Sequence, residues 1–254
     1  MDMRNRIIHL ALSVTFLLIL YGCADQKYSE IETLETRPHV TLNLLFEIPE
    51  LPSKKILVLF FGRNGRANVA NILSRATSLF VAKGLPVVII DSGFYSQSSR
   101  TTPEHLEDIR KVVEYLGVQG WESIYLVGTS NGTISVAYIG SMLKDERIKG
   151  LVMTGTQSYY IKKHAPIDQT PYPVLFIHHK YDECPDNSYD ETVEMSKKYI
   201  NSPKVDFITV VGGMNEKPYP CDDMTYHDFW EEDNWVVQAI VDWVFGKDIP
   251  REID

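Results

Sequence analysis

The chain has 254 residues, 44% of them hydrophobic, which is enough for one domain with a substantial core. A formal charge of −9 without any cluster of Lys and Arg excludes the electrostatic footprint of a nucleic-acid-binding protein. The three cysteines form no CxxC pair, which argues against a zinc ribbon or a dithiol redox centre.

Residues 1–22 read as a secretory signal. Arg4 and Arg6 give a positive flank, and Ile7 to Leu20 is an apolar stretch broken only by His9, Ser13 and Thr15. That stretch is short for a membrane span, which needs about 20 residues. It ends Leu20-Tyr21-Gly22-Cys23, which resembles the lipobox of bacterial lipoproteins, whose cysteine is acylated and becomes the mature N-terminus. The resemblance implies a lipid on Cys23 and a protein held at the cell envelope. In a Gram-negative cell, by the same resemblance, Ala24 after the cysteine is expected to favour the outer membrane. With Cys23 acylated, Cys184 and Cys221 remain, and an oxidising compartment lets them pair. Losing residues 1–22 removes two arginines and one aspartate, so the mature chain is more acidic still, and lipid rather than surface charge is expected to hold it at the membrane. Residues 23–40 are polar without periodicity and read as a tether, which leaves 41–254 as the folded domain.

From there the chain alternates. Apolar strand-like runs fall at 42–48, 55–61, 85–91, 123–128, 148–155, 174–179 and 205–211, with helix-like segments at 68–83, 103–116, 131–143, 189–200 and 233–245. Ile56-Leu57-Val58-Leu59-Phe60-Phe61 is apolar at every position, as a parallel strand covered by helices on both faces requires. The alternation predicts an α/β, doubly wound, mostly parallel sheet flanked by helices. Ligands gather beyond the carboxyl ends of such strands. Gly62-Arg63-Asn64-Gly65, Ser130, Asp182 and Gly212-Gly213 all follow strand-like runs, which argues for one site.

Gly128-Thr129-Ser130-Asn131-Gly132 lies between an apolar run and a helical pattern, the strand–turn–helix context of a nucleophile elbow. A serine hydroxyl needs a base to take its proton, and the base needs an acceptor behind it. His227, in the loop before the last helix, is the preferred base, with His179 second. Asp182, just past a buried strand, is the preferred acid, with Glu183, Asp186 and Asp190 as rivals. The backbone N–H of Asn131, after the nucleophile, is one expected oxyanion donor. The N–H of Arg63 is the other, with that of Asn64 close behind. Arg63 and Arg66 could instead meet an anionic group of a substrate. Cys184 lies two residues after Asp182 and Cys221 six before His227, so a bridge between them would tie the acid loop to the base loop.

Gly128 to Thr133, then His178-His179-Lys180-Tyr181-Asp182-Glu183-Cys184, then Cys221 through Tyr226-His227-Asp228-Phe229, together resemble the serine α/β-hydrolase superfamily, in particular its small secreted or lipid-anchored bacterial members. The resemblance spans roughly residues 42–245. It implies the α/β-hydrolase fold, with Ser130 as nucleophile, Asp182 as acid and His227 as base. Such proteins commonly carry glycine after the catalytic histidine; here it is Asp228, which either raises the histidine pKa or points to solvent. Only about eighteen residues separate the strand-like runs at 148–155 and 174–179, where many relatives insert a helical cap. The expectation is therefore no large cap and an open site for a small or exposed acyl group, walled by residues 212–226 and by Ser92, Gly93, Phe94 and Tyr95. The predicted activity is cleavage of a carboxylic ester, or a related acyl substrate, through an acyl-enzyme, without metal or cofactor. A silent binding module on the same fold, or a peptidase or acyltransferase with the same triad, are the alternatives.

Overall fold

A computed structural model describes residues 30–68, 70–91 and 96–254, so the signal segment, Cys23 and Ser92 to Tyr95 lie outside the described residues. The strands are β1 (Glu30–Arg37), β2 (Val40–Glu47), β3 (Lys55–Phe60), β4 (Val87–Asp91), β5 (Ser123–Thr129), β6 (Ile148–Thr154), β7 (Val174–His179), β8 (Val205–Val210) and β9 (Glu252–Ile253). The helices are α1 (Ile72–Ala82), α2 (Pro103–Val118), α3 (Gly132–Met142), α4 (Ser158–His164), α5 (Tyr189–Ser196) and α6 (Asp233–Val244). The nine strands make one sheet in the order β1-β2-β4-β3-β5-β6-β7-β8-β9. β2 pairs antiparallel with β1 and with β4, and every other pairing is parallel.

Period-two geometry divides the apolar strands between two cores. In β3, Ile56, Val58 and Phe60 pack with Ile109, Val112 and Val113 of α2 and Ile134 and Ala137 of α3. Leu57 and Leu59 turn the other way, onto Leu73, Ala76 and Phe80 of α1 and Val237 and Ile240 of α6. Helix starts are set by caps. Asn71 and Ser74 form a reciprocal capping box on α1, and the Thr102 hydroxyl accepts the His105 N–H ahead of Pro103 on α2. Thus α1 begins at Ile72, later than the expected 68, because the box fixes its first turn there.

The expected tether at 23–40 needs correction: residues 30–37 are a sheet strand. β1 is an edge strand, and edges favour the charged side chains that made it look unstructured. Its end is anchored to α2. The Thr36 hydroxyl donates to Asp108 Oδ1 at 2.5 Å, and Arg37 holds the same carboxylate through Nε at 2.7 Å and Nη2 at 3.0 Å. The β6–β7 connection carries the seven-residue α4 and one 3₁₀ turn, so there is no large cap.

Candidate active site

β5 runs into α3 through Ser130, whose φ of +50° lies in the left-handed region that a serine rarely adopts. The surrounding bonds hold it there. Ser130 N–H donates to Thr154 O at 3.0 Å, and Ser130 O accepts the Thr133 N–H at 2.9 Å and its hydroxyl at 2.6 Å. The flanking glycines have a steric cause. A Cβ on Gly132 would stand 1.9 Å from Phe60 O, and one on Gly128 would stand 2.6 Å from Gly132 O. The helix can approach β3 and β5 this closely only without those side chains.

Asp182 and His227, remote in sequence, meet behind the elbow. His227 Nδ1 lies 2.7 Å from Asp182 Oδ2, with the aspartate side chain fully buried and the histidine nearly so. The carboxylate is further held by the Cys184 N–H, 2.9 Å from Oδ1. Burial alone would push Asp182 up, but the His227 charge and hydrogen bonds from both His178 and His227 outweigh it, so its carboxyl stays well below the usual carboxylate range. Burial pulls His227 down, but the charge and hydrogen bond of Asp182 prevail, and its pKa is raised above that of an ordinary histidine.

Ser130 and His227 line one pocket of about 300 Å³, including the part open to solvent, together with Gly62, Arg63, Asn71 and Asp222. With Nδ1 committed to Asp182, Nε2 is the nitrogen left to His227 for a substrate. Among the described residues no hydrogen bond joins the Ser130 hydroxyl to His227. In unliganded sites this contact often tightens only with substrate in place.

The rival residues are otherwise engaged. His179 Nδ1 accepts the Tyr181 N–H at 3.0 Å, which places the proton on Nε2, 2.7 Å from Gly212 O. Its ring stacks on Tyr226 at 4.3 Å, and burial lowers its pKa. Among the described residues, none of Glu183, Asp186 and Asp190 bonds His227; Asp190 lies in the first turn of α5.

Two supports were not legible in the sequence. His178 Nδ1 accepts the Thr156 N–H at 3.2 Å, so the proton is on Nε2, which faces Asn187 O at 2.7 Å and Asp182 Oδ2 at 3.3 Å. The adjacent histidine pair was a signal of something, but not of this. Asp228 is buried rather than solvated. It accepts the Ile72 N–H at 2.6 Å, is paired with Arg75, and offers its carbonyl to Arg75 Nη2 at 2.9 Å. The His227 loop is therefore fastened to the N-terminus of α1, and the Asp228 charge adds to the upward shift of His227.

The expected oxyanion donors sit on facing turns. Asn131 caps α3, where the helix dipole adds positive potential, and Arg63 has a φ of +47° in the turn after β3. Asn131 Nδ2 donates to Arg63 O at 3.3 Å, joining the two turns. The half-exposed Arg63 guanidinium is paired with Asp222 at 2.5 Å.

Cys184 and Cys221 are bridged, with Cα atoms 4.7 Å apart. The bridge spans 37 residues and joins the Asp182 loop to the wall that carries Asp222. The ligand-type atoms of Asp182, Cys184 and His227 lie within 4.8 Å of one another, but a sulfur already bonded to sulfur is no thiolate ligand. Chain-entropy cost for a loop of this length predicts that Cys184→Ala/Cys221→Ala loses about 4 kcal/mol of stability. Urea titration of variant and wild type checks this, and matching midpoints would refute it.

No protein-family model matches the chain, and no curated protein sequence does either. Solved structures do resemble it. Est1E from Butyrivibrio proteoclasticus superposes with a TM-score of 0.62 at 17% identity, over 86% of this chain and 98% of that one. Dienelactone hydrolase from Anabaena variabilis gives 0.64 at 12% identity, over 86% and 98%. XC6422 from Xanthomonas campestris, an α/β serine hydrolase without a lid, gives 0.60 at 13% identity, over 86% and 94%. The shared architecture is the α/β-hydrolase fold, and this chain has it.

Proposed function

We propose that the chain is a serine hydrolase that cleaves a small or exposed carboxylic ester through an acyl-enzyme. The observation that carries this is the pairing of buried His227 and Asp182 at 2.7 Å beside a pocket that also presents Ser130 on a strained elbow. That XC6422 is described as an α/β serine hydrolase and the Anabaena variabilis protein as a dienelactone hydrolase supports the same reading.

The chemistry follows from the roles. His227 Nε2 takes the Ser130 proton as Oγ attacks the acyl carbon, and Asp182 stabilises the imidazolium. The N–H groups of Asn131 and Arg63 hold the oxyanion. Collapse expels the alcohol, protonated by His227, and water then repeats the sequence on the acyl-enzyme, releasing the acid and restoring Ser130. Every proton is passed by one imidazole, so the transfers call on no second acid or base. A lipid on Cys23 would hold the enzyme at the envelope, where the short connection carrying α4 leaves the site open to substrates presented outside the cytoplasm.

The test has two arms. A fluorophosphonate probe is expected to label Ser130, as peptide mass spectrometry reads out; a folded protein that stays unlabelled would leave the scaffold as a binding module. On p-nitrophenyl esters of graded chain length, turnover is expected to peak at acetate or butyrate and to fall roughly tenfold or more by dodecanoate, since among the described residues the pocket is lined mainly by polar and small side chains that would not repay the added methylenes. A preference for the long chains would overturn the open-site reading. Release of free acid, rather than transfer to an added amine or cleavage of an amide, separates a hydrolase of esters from an acyltransferase or peptidase.

A further inference from the structure

Arg100 lies in the 3₁₀ turn Ser98–Thr101, away from every motif in the sequence, and only 1% of it is exposed. Arginine is almost never buried this completely unless its donors are employed. Here Nη1 donates to Ser135 Oγ at 3.0 Å, inside α3, the helix that follows the nucleophile. Nη2 donates to Phe61 O at 3.1 Å and lies 3.4 Å from Arg63 O. Between those two carbonyls stands that of Gly62, which accepts the Gly65 N–H at 2.9 Å.

Three consecutive peptide carbonyls of the turn after β3 are therefore committed. The middle peptide is the one that carries the Arg63 N–H, and the peptides on either side of it are pinned by a single guanidinium. The same guanidinium grips α3, whose cap supplies the second donor, Asn131. We propose that Arg100 is a positioning residue of the oxyanion hole: it fixes the Arg63 N–H relative to the Asn131 N–H and adds buried positive potential beneath both. This rests on the serine-hydrolase reading above. It goes beyond that reading by assigning a role to a group that never touches substrate.

The surroundings preserve that role. His105, packed against Phe60 at 6.3 Å, is pushed down to about 3 by burial and then by Arg100, so it stays neutral and adds no competing charge. In a low-dielectric interior a fixed charge acts on a developing oxyanion far more strongly than it would in water.

The full chain with Arg100→Met, Arg100→Lys or Ser135→Ala provides the test. Losing one direct oxyanion donor costs about 10²- to 10³-fold in kcat, so a displaced donor should cost less. For Arg100→Met we expect kcat on p-nitrophenyl acetate to fall about 30-fold, with KM within about threefold of wild type. Affinity for a short alkyl trifluoromethyl ketone, whose adduct places an oxyanion in the hole, should fall by a like factor. The acid limb of the pH–rate profile, which reports His227, should not move. Arg100→Lys should recover part of the loss, because it keeps the charge but not the two-carbonyl grip. A folded Arg100→Met protein with wild-type kcat, or a loss confined to KM, overturns the inference. If neither Arg100 variant folds, Ser135→Ala decides: a several-fold loss in kcat alone supports it, and no loss overturns it. Wild type inert to both ester and fluorophosphonate would remove the hydrolase reading and this inference with it. An active wild type matched by its Arg100 variants removes only the inference.

Discussion

Ser130→Ala is expected to lower kcat/KM on p-nitrophenyl acetate by about 10⁵-fold while leaving the protein folded, because removing the nucleophile of a cooperating triad costs nearly as much as removing the whole triad. Stability should move the other way or not at all. The hydroxyl has no hydrogen bond to His227 to lose, and its Cβ sits on a residue at φ +50°. Ser130→Gly relieves that backbone and should raise stability by about 1 kcal/mol with the same loss of turnover. Together the two variants separate strain from chemistry: one tests the atom, the other the turn that presents it. Thermal melts and initial rates measured side by side are sufficient. Equal turnover by wild type and Ser130→Ala would eliminate the mechanism outright, whatever the melts show.

What the sequence disclosed follows from the range of each interaction. The seven apolar runs became β2 to β8 because burial on both faces leaves a local signature, as in Ile56 to Phe61. β1 left none: its side chains are those of an edge, and what makes it a strand is pairing with β2 and the grip of Asp108, 72 residues beyond Thr36. β9 is two residues long, too short for any periodicity, and is a strand only by its pairing with β8. The site divides the same way. The elbow around Ser130 is contiguous, Asp182 closely follows a buried strand, and His227 stands in the loop before the last helix, so each could be picked out as a candidate. His178 stands only four residues before Asp182, but Arg75 on Asp228 and Arg100 on the turn after β3 meet their partners across long sequence separations. No spacing encodes such a partnership. Asp228 is the clearest instance: beside His227, the sequence left it either raising the histidine pKa or pointing to solvent, and only Ile72 and Arg75 show that it is buried.

Asp182→Asn should reduce kcat/KM by about 10⁴-fold, and the cause is a tautomer rather than a lost charge alone. In the native site Oδ1 accepts the Cys184 N–H and Oδ2 faces His227 Nδ1. An asparagine must keep its carbonyl toward the backbone donor, which turns its NH₂ toward the imidazole. His227 Nδ1 must then accept, its proton moves to Nε2, and the nitrogen that should take the Ser130 proton already carries one. The pH profile follows with a definite sign. The base works when neutral, and because Asp182 raises the His227 pKa, wild-type activity should fail in acid at a pH above that of an ordinary histidine, near 6.5. In the variant that acid limb should move down. Stability gives an independent reading. Asp182 is depressed when folded, so its contribution is complete above the unfolded carboxylate pKa, about 4, and is lost as pH falls through the folded value. His227 is raised, so its contribution is complete below about 6.5 and is lost as pH rises through the folded value. The melting difference between wild type and Asp182→Asn should therefore be widest between roughly pH 4 and 6.5 and narrow on both sides. A difference that fails to narrow as pH is taken well below 4 and well above 6.5, or a variant keeping more than about a tenth of wild-type turnover at neutral pH, would mean that the imidazole is oriented by some other group and that the acid has been misassigned.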